Sequence, residues 1–326
     1  MESRKVGSLP GIRDWTLLLS CNLMFATQAV AVKVVQEQMG PVFASFLPVT
    51  LATLLLIPVV RRERLRTNPF GNSDSLPVRD IFSFVAMGTC GLIPSYVFIA
   101  WGVRLSLASN VALIGLVAPV MTAVMAYFVL GERMTMVRWI SFVLAVAGVV
   151  ECSGIDWKGL SLTRGKFLLG SLLIFSGVLG SAFYNVYSKK LLPRYSPLRI
   201  LLYTYYAGLA IMLPIALYTE PQGFRGLPAL RLTVWAGLIV LALFPYSLAM
   251  VIFLSVLKRL DVTQVVLSTY LIPFFCLLLA AAVLHERLTK FMVLGGVLVL
   301  GSTLLITVYD ERRRPQATPD AILGEK

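Results

Sequence analysis

The sequence predicts an all-α integral membrane fold of ten transmembrane helices, built as two inverted five-helix repeats. Three observations carry that prediction. Only 14% of the 326 residues are charged and 58% are hydrophobic, with a mean hydropathy of +0.82, whereas a soluble domain carries roughly 25% charge. Long stretches free of Asp, Glu, Lys and Arg recur along the chain, and the second half of the sequence echoes the first. With so little charge a chain of this length cannot cover its exterior with polar groups, so a soluble enzyme is excluded and much of the surface must face hydrocarbon.

A membrane helix needs about 20 mainly apolar residues to cross a hydrocarbon layer ~30 Å thick. The uncharged runs are 15–32, 38–60, 81–103, 105–131, 139–150, 167–188, 200–219, 232–257, 262–285 and 291–309. Nine are long enough alone; the fifth needs 134–137, with Arg138 turned to the interface or the interior, to reach full length. Membrane β-barrels show alternating strands of about ten residues, while these runs are continuously apolar and rich in Leu, Ala, Val and Gly, which selects helices. Arg4, Lys5 and Arg13 before the first run also resemble the flank of a signal peptide, but that run has a counterpart later in the chain and is read as a span.

The excess of 29 Lys and Arg over 16 Asp and Glu, a net +13, could suggest a nucleic-acid partner. Assigned to loops, 20 basic residues fall on the side of both termini and 9 on the other. By the positive-inside rule both termini are cytoplasmic in a multi-pass protein of the cytoplasmic membrane, marked by Arg61, Arg62, Arg64, Arg66 and Arg312–Arg314. The charge is a topology signal, and no nucleic-acid partner is expected. Cys21, Cys90, Cys152 and Cys276 have neither disulfide nor zinc-ligand spacing, and His285 has no second ligand, so no metal and no cofactor are expected.

The repeat has an odd number of spans. A shift of 156 residues superposes Ala26 on Ala182, Lys33 on Lys189, Pro41 on Pro197 and Pro58 on Pro214. A shift of 154 superposes Pro119 on Pro273, Ala126 on Ala280 and Leu130-x-Glu132-Arg133-x-Thr135 on Leu284-x-Glu286-Arg287-x-Thr289. Residues 1–12 and 310–326 are then short tails on either side of repeats at 13–152 and 164–309. A five-span unit followed by a copy of itself inserts the copy upside down. That is the logic of secondary transporters, with a site between the halves near the midplane and two exchangeable conformations. No loop is long enough for a catalytic domain, and no catalytic residue set is found.

Two copies that each contain Pro-x12-Glu-Arg-x-Thr before a Gly-containing span resemble the EamA-type branch of the drug/metabolite transporter superfamily, over about residues 13–309. The second copy has His285 where the family favours Gly, and each copy keeps one of two later glycines, Gly148 and Gly295, replacing the other with Ser141 or Ser302. The resemblance implies ten helices, cytoplasmic termini, and export or exchange of small metabolites.

Glu132, Arg133, Glu286 and Arg287 stand in short turns between spans, where they suit either architecture, by bonding each other or exposed helix ends, or gating. Lys33 and Lys189 are read as snorkelling anchors, or as ligands for a carboxylate or phosphate. No Asp or Glu occupies the middle of a span, which argues against cationic drugs and leaves neutral or zwitterionic solutes. The candidate substrate-binding residues are the interior amides and aromatics Asn22, Gln28, Tyr96, Trp101, Asn110, Tyr184, Asn185, Tyr246, Gln264 and Tyr270, with Asn110 and Gln264 at matching repeat positions. Pro94, Pro119, Pro245 and Pro273 are candidate hinges.

The expected function is therefore a secondary transporter for small neutral or zwitterionic metabolites, in contact with the lipid bilayer and acting as a monomer or homodimer. Two alternatives stay open. One is a nucleotide-sugar or sugar-phosphate exchanger that uses Lys33, Arg104, Lys189 or Lys258 for phosphate, and the other is an integral-membrane enzyme.

Overall fold

Hydrocarbon offers no partner to a backbone N–H or C=O, so each apolar run satisfies its own ladder by coiling. The computed structural model describes residues 12–67, 76–105, 118–132 and 165–272, with isolated positions at 115, 136, 139–140, 143–144, 147, 275 and 301. Among the described residues there is no strand. In chain order the helices are α1 (Ile12–Gln36), α2 (Pro41–Thr67), α3 (Val78–Ala86), α4 (Ile99–Leu105), α5 (Ala118–Leu130), α6 (Gly165–Leu191), α7 (Pro197–Thr219), α8 (Pro221–Gly226), α9 (Leu232–Leu243), α10 (Met250–Arg259) and α11 (Val262–Ser268).

Five helical stretches among the described residues are long and apolar enough to cross a membrane: Pro41–Arg66, Val78–Gly102, Leu169–Leu191, Pro197–Thr219 and Leu232–Arg259. Most of the expected fifth and tenth spans, half of the ninth and the start of the fourth lie outside the described residues. Two stretches depart most from the sequence reading. α2 runs on past Val60 through the exposed arginines 61, 62, 64 and 66, because an interfacial helix end loses nothing by being charged. Between α7 and α9, α8 and a 3₁₀ turn at Leu227–Ala229 fill what read as plain loop.

Two spans are not regular. π-helical turns cover Met87–Leu92 and Pro94–Phe98 between α3 and α4, and Phe244–Ala249 between α9 and α10. A proline has no N–H for the i−4 carbonyl, and the helix widens locally around the gap. α6 lies against that widened stretch so closely that a Cβ on Gly180 would stand 2.9 Å from the Gly91 carbonyl oxygen and 3.0 Å from that of Cys90. Such a contact requires glycine.

The helices pack mainly across the boundary between the copies. α1 packs on α9 and on the π turn that follows it, α2 on α7, α5 on α11, and α6 on α4 and the π turns before it. The core therefore lies at the seam between the halves, where Leu18, Phe43, Met87, Ile174, Leu201, Tyr205, Met212, Leu238 and Leu241 are fully buried. The outside is apolar too, with Phe82 74%, Phe128 77% and Leu54 58% exposed, as a lipid-facing surface demands.

α5 ends at Gly131, whose φ of 67° is left-handed and whose N–H bonds the Tyr127 carbonyl at 3.1 Å, an αL cap that turns the chain toward the second copy. Gly131→Ala should cost roughly 1–2 kcal/mol, the penalty for a Cβ in that conformation. The expected result is a lower midpoint of thermal unfolding in detergent; an unchanged midpoint would show that the turn tolerates a side chain.

Candidate functional site

At the seam the two widened spans bring their tyrosines together. The rings of Tyr96 and Tyr246 lie 4.7 Å apart at 33°, and Gln28 of α1 donates from Nε2 to the Tyr246 hydroxyl at 3.4 Å. Tyr205 of α7, fully buried, donates its hydroxyl to the Tyr246 carbonyl at 2.6 Å, an acceptor within the π turn. Tyr184 of α6 is buried close to the Tyr96 and Tyr205 phenols. The hydroxyls of Tyr184 and of Ser188, one turn on, have no well-formed hydrogen bond among the described residues. Both copies contribute to the cluster, and none of its residues carries a formal charge. Its chemistry is that of hydroxyls, amides and aromatic faces.

The other candidates lie elsewhere. Asn22 is fully buried and donates from Nδ2 to the carbonyl and hydroxyl of Ser268 at 2.9 and 3.1 Å, which ties α1 to α11. Its Oδ1 has no partner among the described residues. Tyr270 is buried near the same seam and Gln264 is half-buried on α11. Trp101 packs on the edge of the core and Asn185 is half-buried on α6. Pro94 and Pro245 stand within π turns and Pro119 is buried in the first turn of α5. Asn110, Arg133, Pro273, Glu286, Arg287 and the side chain of Lys33 lie outside the described residues.

Carboxylates close the helix ends around the cluster. Glu132, one residue past Gly131, accepts from the N–H of Val262 at 2.8 Å and from the N–H and hydroxyl of Thr263 at 3.1 and 2.7 Å. Asp261, the N-cap residue of α11, makes no cap bond of its own. The first turn of α11 is thus capped from the other copy by a charge that also suits the positive end of its dipole. Glu220, after α7, does the same for α2, accepting from Val42 and Phe43 N–H at 3.1 and 2.8 Å. At the far end of that pair Glu63 accepts from Ser196 Oγ at 2.9 Å, and Ser196 is the N-cap of α7, accepting from Arg199 N–H at 3.3 Å. α2 and α7 therefore run antiparallel and are joined at both ends.

Lys189 is engaged by a neighbouring helix: its ammonium donates to the Leu257 carbonyl at 2.6 Å and to that of Leu260. These are the last carbonyls of α10, the negative end of a helix dipole, which a cation satisfies. At this basic end Arg259 also pairs with Asp14 at 2.7 Å, joining α10 to the start of α1. Sequence reasoning missed Glu63 and Glu220 because each serves a helix far along the chain. The only available signal was their similar place after the second span of each copy.

A duplicated, lipid-facing helical bundle with a polar cluster at its seam has the architecture of a membrane transporter. The chain belongs to the EamA-like transporter family, whose model matches residues 15–152 and again 168–308. It is similar, at 25% identity over 94% of this chain and 97% of the relative, to a Streptantibioticus cattleyicolor protein named "Probable terminal-alkyne amino-acid exporter". It is 24% identical to the uncharacterized transporter YetK of Bacillus subtilis, covering 76% of this chain and 73% of that one. An uncharacterized transporter of Archaeoglobus fulgidus is 26% identical, with 89% and 96% covered. One solved crystal structure shares the fold with a TM-score of 0.76 at 17% identity, covering 93% of this chain and 99% of that one. The protein is thus a multi-pass membrane transporter in contact with the bilayer and a small-molecule substrate, and its relatives point to transport rather than catalysis.

Removing a capping carboxylate leaves N–H groups bare. Glu220→Ala should destabilise the first turn of α2 by about 0.5–2 kcal/mol, read as faster amide hydrogen exchange at Val42 and Phe43. Protection equal to that of the parent would mean that the carboxylate does not hold the turn.

Proposed function

We propose that the protein is a ten-helix secondary transporter of the cytoplasmic membrane, with both termini in the cytoplasm and two inverted five-helix repeats, that exports or exchanges small neutral or zwitterionic metabolites by alternating access. The observation that carries this reading is the cluster of Gln28, Tyr96, Tyr184, Tyr205 and Tyr246, drawn from both copies and free of formal charge. A solute with a large net charge would find no counter-ion there. A neutral or zwitterionic one would find hydroxyls, an amide and ring faces. The similar Streptantibioticus protein, named for an amino acid, supports the zwitterionic branch of this class.

In this reading the contacts at the basic end hold that end closed. Glu132 on α11, Lys189 on α10 and Asp14 on Arg259 join five helices there, and on this reading the substrate path of this state leads to the opposite end. Glu132 acts as the latch. Opening the basic end separates α5 from α11 and exposes two backbone N–H groups and a hydroxyl, a cost repaid when water reaches them. α2 and α7, joined at both ends, stay together while the pairs around them rock. The phosphate-exchanger alternative loses support. Lys189 is engaged by carbonyls, and Arg104 and Lys258 are exposed rather than turned to the cluster.

Counterflow into proteoliposomes with a panel of amino acids, nucleobases and phosphorylated sugars tests the function. Exchange of neutral or zwitterionic members is expected. Flux confined to phosphorylated sugars, or none from folded protein, would refute the reading. The latch has its own test. Val262 is fully buried, so Val262→Cys should resist a membrane-impermeant maleimide in the parent and react at least several-fold faster when combined with Glu132→Ala. Equal rates would show that Glu132 does not hold the end closed.

A further inference from the structure

Two hydroxyls of the tyrosine cluster have a proton to spare. Tyr184 and Ser188 stand one turn apart on one face of α6, at 5% and 0% exposure. The two side chains lie close to each other, yet neither forms a well-formed hydrogen bond among the described residues. A bond between them would spend one of their protons and leave the other without an acceptor. A serine inside a helix can give its proton to the carbonyl one turn back, as Ser45, Ser83 and Ser255 do here. Ser188 does not. The neighbours add donors rather than acceptors: Gln28 gives an N–H to the Tyr246 hydroxyl, and Tyr205 already occupies the Tyr246 carbonyl.

Buried O–H groups without acceptors call for a ligand group that only accepts. A carboxylate does so through both of its oxygens, and its charge makes each bond roughly twice as strong as one to a neutral carbonyl. A solute that carried this charge alone would be held badly, because no cation belongs to the cluster and a bare buried charge is costly. A zwitterion brings its own cation, for which the electron-rich faces of the Tyr96 and Tyr246 rings are suited. Gln28 and Tyr96 keep partial exposure inside the seam, which leaves the cluster open to such a solute.

We propose that the Tyr184 and Ser188 hydroxyls hold the carboxylate of a zwitterionic solute, and that this pair makes the transporter select acids over their amides. The selectivity rests on the transport reading above, but it is tested by binding, so the two can fail separately.

The probes are radiolabelled leucine, phenylalanine and tyrosine, each paired with its carboxamide, in equilibrium binding to the intact chain in detergent. The amide replaces one acceptor oxygen with a donor. The parent should bind at least one of the acids about tenfold or more tighter than its amide. Tyr184→Phe keeps the ring and loses only the hydroxyl. That variant and Ser188→Ala should each weaken the acid by about tenfold and leave the amide nearly unchanged. Either variant serves if the other misfolds. A preference that came only from the positive charge of the amide would survive both substitutions with its ratio unaltered. Without solute, Tyr184→Phe should keep or raise the midpoint of thermal unfolding, because it deletes a buried polar group that lacks a partner. A lowered midpoint with an unchanged ratio would show a structural hydroxyl and overturn the proposal. Equal affinity of the parent for acids and amides would overturn it too, as would no binding of any of the acids by folded parent. Acid binding that depends on Tyr184 and Ser188 but gives no flux in proteoliposomes would uphold the site and count against transport. Flux of neutral solutes indifferent to the carboxylate would do the reverse.

Discussion

A helix that begins at a membrane face leaves its first N–H groups without partners, and in this protein the missing acceptors come from the other half of the chain. Glu132 of the first copy caps α11, Glu220 of the second caps α2, and Glu63 of the first holds the capping hydroxyl of α7. Each bond is charge-assisted and directional, so it sets the distance between two particular helices as well as satisfying a helix end. The apolar seam has no such direction, since lipid chains are as apolar as leucine and give little reason to prefer one helix neighbour over another. Carboxylates at the rims choose the partners, and close packing of small residues completes the contact.

Glycine and proline give the seam its second character. Prolines in the third span of each copy accompany π turns, and these aim Tyr96 and Tyr246 at each other. Gly180 lets α6 lie against one of these turns near its carbonyls. The cluster that results is polar and neutral, an unusual combination inside a membrane, where a polar group without a partner is costly. Tyr205 illustrates the resolution: its hydroxyl reaches a carbonyl that belongs to a π turn.

How much of this was legible depends on the range of the interaction. Helical runs are written locally, because hydrocarbon forces every backbone group to pair within its own segment, and α6, α7 and the rod from Leu232 to Arg259 fall close to where hydropathy put them. The duplication was legible through Pro41 and Pro197, which both prove to open a helix. Glu132 stood out as a motif, and bonding to an exposed helix end was among its expected roles, but the identity of that end was not readable: α11 lies 130 residues away. The partner of Lys189 was not readable, because a lysine near a span end looks the same in sequence whether it reaches water or a neighbouring helix's carbonyls. Tyrosines could be seen as candidates, yet which of them meet depended on π turns that composition does not encode.

The cap on α2 also has a meaning in time. Glu220 follows Val42 by 178 residues, and at about 5–20 residues per second of synthesis the first turn of α2 waits roughly 10–40 s for its acceptor. Until then the first copy is a set of inserted helices with an unfinished rim, dependent on lipid headgroups and water to solvate it. The second copy completes the first by supplying the group that its partner lacks.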